Sequence, residues 1–68
     1  MAKNKLLKTL PSDEISVVKY HTLNGDIYRI TRHRINQMFT IYKVVDDCFE
    51  KLGTDINPTV LEKKYINI

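Results

Sequence analysis

The sequence predicts an α+β domain: a small antiparallel sheet of three strands, or four, with a C-terminal helix covering it. Three observations carry that expectation. Two β-branched and aromatic runs, residues 15–21 and 27–33, flank the turn pair Asn24-Gly25. A third run, residues 38–45, contains no Pro or Gly and is again rich in β-branched and aromatic side chains. Asn57-Pro58 then sets a capping residue ahead of the ring best tolerated at the first helical position.

The hairpin has two candidate registers. A two-residue loop at Asn24-Gly25 sets Tyr20 opposite Arg29 and mixes apolar with charged side chains on both faces. A three-residue loop, with Gly25 in the left-handed conformation, sets Thr22 opposite Asp26, Tyr20 opposite Tyr28 and Val18 opposite Ile30. It gathers Lys19, His21, Arg29, Thr31 and His33 on the other face. Side chains alternate along a strand, so the loop decides which set is buried. The second register separates apolar from charged groups and is the expected one.

The remaining elements follow in order. Ahead of the hairpin, Asn4 is placed to cap a short helical turn carrying Leu6, Leu7 and Leu10 and ended by Pro11, with a frayed tail as the alternative. In the third strand Phe39, Ile41 and Val45 share one face, and Met38, Tyr42 and Val44 the other. Two apolar faces mark a central strand, or one that meets another subunit. Val45, Cys48, Phe49 and Leu52 then fall at helical spacing, with Asp47 and Glu50 as a capping box and Gly53 past the end. This favours a short helix over 46–52. The alternative is a fourth strand, hairpinned through Asp46-Asp47. The last helix is expected to run to about Tyr65, with Val60, Leu61, Lys64 and Tyr65 on its sheet-facing side. The expected core is Val18, Tyr20, Tyr28, Ile30, Phe39, Ile41, Phe49, Leu52, Leu61 and Tyr65.

Composition bounds the function. At 68 residues the chain supports one domain and a modest core. Residues 1–14 read as a basic N-terminal arm and 15–68 as the domain. The single cysteine, Cys48, excludes an intrachain disulfide and fits a reducing compartment. A small core without a disulfide is one reason to expect a homodimer. No apolar run approaches the roughly 20 residues that span a bilayer, and Leu6-Leu7 is too brief for a signal-peptide core. A cytoplasmic location is expected by default.

The formal net charge is +3, and its distribution is uneven. Within 15–34, Lys19, Arg29, Arg32 and Arg34 stand against Asp26 alone. Every arginine of the chain lies in that segment. Such asymmetry suits an acidic partner on one side. Lys19, His21, Arg29, Arg32, His33 and Arg34 are therefore the candidate nucleic-acid-binding residues. A two-stranded ribbon fits the major groove, and arginine suits phosphate and guanine. Thr22 and Thr31 can add hydrogen bonds to phosphate. The competing reading is a solvated outer face, where charge also discourages edge aggregation.

Other chemistries are less well supported. His21 and His33 stand roughly 20 Å apart at about 3.3 Å per strand residue, so they cannot share a metal ion within one chain. Tyr20, Tyr28, Phe39 and Tyr42 could stack on bases, but a chain this small needs them in its core. Cys48 has no activating neighbour in sequence and reads as a small buried hydrophobe. An Arg/His/Tyr set could serve a small ribonuclease, yet the chain offers little material for an enclosing cleft. The expectation is a non-enzymatic, cofactor-free DNA-binding or regulatory module, such as an accessory factor of a phage or other mobile element, using duplex DNA as partner. The alternative is a protein-interaction module, an inhibitor or adaptor, that docks by an exposed strand or apolar sheet face onto an acidic protein.

Overall fold

The computed structural model of the chain describes residues 6–66. Five strands form one antiparallel sheet: β1 (Leu6–Leu7), β2 (Glu14–His21), β3 (Ile27–His33), β4 (Phe39–Val45) and β5 (Cys48–Asp55). Their order is β1-β5-β4-β3-β2, so β4 is central and β2 forms one edge. A single short helical segment follows, α1 (Pro58–Leu61), continued by a π-helical turn, Glu62–Ile66. The α+β class stands. The sheet has five strands, however, where three or four were expected.

The β2–β3 hairpin adopts the three-residue loop. Tyr20 pairs with Tyr28 and Val18 with Ile30. Gly25 takes φ 89°, and its N–H donates to Thr22 O at 3.0 Å. The Thr22 N–H donates to Asp26 O at 2.9 Å, and the Asp26 N–H donates to Thr22 Oγ1 at 3.0 Å. A Cβ at Gly25 would be strained whatever the room around it, because L side chains rarely adopt that backbone conformation.

Residues 46–52 are the main correction. They form a turn and the start of β5, not a helix. Asp46 and Asp47 adopt φ 52° and 64°, the paired left-handed geometry of a two-residue hairpin turn, which aspartate tolerates. Val45 then meets Cys48, and Val44 meets Phe49. The helical spacing of Val45, Cys48, Phe49 and Leu52 is real but is overridden by pairing with β4. Gly53 does not end a helix either. A Cβ there would stand 2.5 Å from Tyr65 Oη and 2.9 Å from Tyr65 Cε2, so its bare backbone is what lets the Tyr65 ring lie against β5.

The N-terminal expectation is corrected as well. Leu6 and Leu7 pair with Glu50 and Phe49 as a short strand, not a helical turn; the Asn4 cap lies outside the described residues. Unpaired β5 backbone supplies partners that a lone helical turn would lack. Residues 8–13 then carry the chain from the β5 edge to the β2 edge, with Leu10 and Pro11 half-buried.

The helix starts as expected. Asn57 has extended backbone angles and its Oδ1 accepts from Thr59 N–H at 2.9 Å, with Pro58 at the first position. The widened π turn changes which side chains face the sheet. Leu61 and Ile66 are buried and Tyr65 half-buried, while Val60 and Lys64 are exposed. Tyr28, Ile30, Ile41, Leu61 and Ile66 make the core, with Val18, Tyr20, Phe39, Leu52 and Tyr65 packed against it. Phe49, expected in this core, packs on the opposite face.

Candidate nucleic-acid interface

The far face of the sheet, away from the helix, carries the candidate site. Cross-strand partners share a face. Lys19 lies opposite Arg29, Arg29 opposite Tyr42, and Tyr42 opposite Lys51. Neighbouring strands are about 4.8 Å apart, so Lys19 and Lys51 bracket a row roughly 15 Å wide. His21 sits one step along β2 on the same side, opposite Ile27.

This face is only partly the solvated surface that the alternation suggested. Thr31 is fully buried and Tyr42 is 1% exposed. Tyr42 Oη donates to Glu14 Oε1 at 2.6 Å, and Thr31 Oγ1 donates to the same oxygen at 2.7 Å. Thr31 is thus committed internally and is no phosphate ligand. Beside it, the Thr40 and Thr54 hydroxyls lie 3.3 Å apart. Tyr42 also meets Phe49 edge to face, with ring centroids at 6.1 Å.

Arg29 spans the two environments. Its guanidinium carbon stands 5.9 Å from the Phe49 ring centre, a cation–π distance. Its Nε is buried and has no hydrogen-bond partner among the described residues. The side chain is half-buried, so Arg29 is part of the packing as well as a charge. Lys19, His21 and Lys51 are exposed.

The other expected residues lie apart from this row. Arg32 points to the helix side, opposite Ile15 and Phe39, and is exposed. His33 Nδ1 accepts from Ile35 and Asn36 N–H at 3.2 and 3.3 Å, so it fastens the turn between β3 and β4. Arg34 is exposed in that turn, its N–H bonded to Asp13 O at 2.8 Å. The structure therefore joins Lys19, His21 and Arg29 and separates Arg32, His33 and Arg34. Lys51 was missed. Read as a strand, Phe49 and Lys51 would have shared a face by simple alternation. The opposite end of the sheet, at the turns, gathers Asp26, Asp46 and Asp47. Of these, Asp26 approaches Lys43 at 4.0 Å.

Two tyrosines have perturbed phenols. Tyr20 Oη donates to Glu62 Oε2. That bond, with some burial and the carboxylate charge, pushes its pKa up to about 12. Tyr42 is raised further, first by burial, then by its bond to Glu14 and that group's charge. Both shifts favour the neutral phenol. Stability from them is complete below the unfolded value of about 10 and is lost as pH rises through the folded values. In an absorbance titration Tyr20→Phe should remove a phenol ionising near 12, and Tyr42→Phe one that ionises later still. If every phenol titrates near 10 in the folded chain, these bonds are not formed in solution.

Among the described residues no group of His, Cys, Asp or Glu could hold a metal ion. No helix among them is long and apolar enough to cross a membrane. Cys48 is a half-buried free thiol at the start of β5. Comparison with known protein families, with curated proteins and with solved structures finds no match for this chain.

Proposed function

We propose that this chain is a small non-enzymatic nucleic-acid-binding module that contacts duplex DNA through the far face of its sheet. One observation supports the reading above the others: Lys19, Arg29 and Lys51 fall in one cross-strand row, and none of them forms an ion pair among the described residues. Lys19 and Arg29 face each other directly across the strands, which costs a few tenths of a kcal/mol. A polyanion removes that cost and gains counterion release. Thr54 and Ser16 flank the row and supply further polar groups for phosphate.

The test is affinity for random-sequence duplex DNA as salt rises. Three phosphate contacts imply a slope near −2.7, or roughly 40-fold weaker binding at 200 mM than at 50 mM salt. Lys19→Ala and Lys51→Ala should each lower the slope by about one unit. Both side chains are exposed, so the fold should be unaffected. Arg29→Ala is a poorer probe, since it also uncovers Phe49. A slope that responds only to Arg32→Ala and Arg34→Ala moves the contact to the β3–β4 turn. Absence of binding at 50 mM salt removes the nucleic-acid reading.

A second reading, a protein-interaction module, is favoured by a separate observation: among the described residues β2, eight residues long, is an edge strand with nothing paired beyond it.

A further inference from the structure

Among the described residues nothing pairs with the outer edge of β2. The hairpin shows which of its backbone groups face outward. Thr22 and Asp26 form a bonded pair, since the Thr22 N–H reaches Asp26 O at 2.9 Å. Bonded and non-bonded pairs alternate along an antiparallel ladder. Tyr20/Tyr28 and Val18/Ile30 are then bonded pairs, while Lys19/Arg29 and His21/Ile27 are not. The N–H and C=O groups of Lys19 and His21 therefore point away from β3, into the space beyond the sheet. An irregularity between Ser16 and Val18 ends the regular edge upstream, leaving 18–21 as the stretch that can accept a strand.

The side chains define the chemistry of that strand. On the far face, Lys19 and His21 are exposed, with Arg29 one strand inward. On the helix face, Val18 and Tyr20 are half-buried at the border of the core. An incoming strand thus meets cations on one side and apolar surface on the other. We propose that the β2 edge receives an extended strand of alternating acidic and apolar residues from another protein. Its backbone pairs with Lys19 and His21, its carboxylates lie over the cations, and its apolar side chains cover Val18 and Tyr20. Main-chain bonds supply the affinity in this mode, and the alternate side chains the selectivity. A second copy fits less well. Paired β2 strands would bring Lys19 of both copies onto one face, beside both Arg29 side chains, where like charges oppose. The inference does not depend on DNA binding, although Lys19 and Arg29 serve both.

The experiment uses the full chain and a capped decapeptide of alternating glutamate and valine, with a lysine–valine counterpart as control. Amide hydrogen exchange and NMR shifts are followed residue by residue. The glutamate peptide should slow exchange at the Lys19 and His21 amides at least about tenfold, in line with the protection that a new ladder bond confers. The lysine peptide should not. In the chain carrying Lys19→Glu with His21→Glu, whose two positions are exposed, the preference should pass to the lysine peptide. Four outcomes overturn the proposal, the first three being no protection at these amides, equal protection by both peptides, or shifts confined to Tyr42 and Lys51. Protection that grows with protein concentration and no peptide overturns it in favour of a second copy.

Discussion

Ile41→Ala is expected to remove about half of the chain's folding stability. Ile41 is fully buried in the central strand. It belongs to the cluster with Tyr28, Ile30, Leu61 and Ile66 that joins the sheet to the helix. Removing such a side chain costs about 2–5 kcal/mol, from lost transfer energy and the cavity left behind. A domain of this length has roughly 3–10 kcal/mol in total. Urea unfolding followed by circular dichroism measures the loss. Ile56→Ala provides the contrast, since Ile56 is 73% exposed and should change stability by under about 0.5 kcal/mol. Equal, small losses at both positions would show that the core is not where the packing places it.

Glu14→Ala should be nearly as damaging, although the residue is charged and starts an edge strand. One of its oxygens accepts from both Tyr42 and Thr31, whose side chains lie on buried residues. Removing it orphans both hydroxyls, at about 1–3 kcal/mol each before any water enters. The melting temperature should fall by about 10–20 °C, given roughly 4–8 °C per kcal/mol for a domain this small. A double-mutant cycle isolates the cause. With Tyr42→Phe already present, one of the two orphans no longer exists, so Glu14→Ala should cost less. Strict additivity of the two changes would remove Glu14 from this network. Asp13→Ala is the control, because among the described residues the exposed Asp13 contributes only its backbone carbonyl, to Arg34.

These two residues differ in how readable they were. Ile41 sits in an alternating β-rich run, and its burial follows from strand period and composition. Glu14 carries no such signal. A carboxylate beside Asp13 at the end of a basic segment reads as surface. It becomes the hub of the far face only because a one-residue irregularity in β2 and the pairing of β3 with β4 bring Thr31 and Tyr42 to it.

The candidate site divides the same way. Lys19, His21 and Arg29 share a face because the hairpin register follows from Asn24-Gly25 and from the separation of apolar from charged side chains. Lys51 joins them through β4, two strands away from Arg29 and three from its hairpin partner Lys19. His33 was grouped with them by the same alternation, and Arg32 and Arg34 by closeness in sequence. The turn takes up His33, and Arg32 lies on the helix side.

Local information was enough for the hairpin and its loop, for the third strand with its two apolar faces, and for the helix start at Asn57-Pro58. Each rests on interactions within a few residues: a left-handed glycine, an alternating pattern, a capped first turn. Residues 46–52 and Leu6-Leu7 were settled elsewhere. Val45, Cys48, Phe49 and Leu52 satisfy a helical period and a strand equally, and two leucines satisfy neither. The free backbone of β4 selects the strand for β5, and β5 in turn selects β1. The row of cations, the burial of Thr31 and the split role of Arg29 follow from that pairing, because which groups share a face depends on a register between strands distant in sequence.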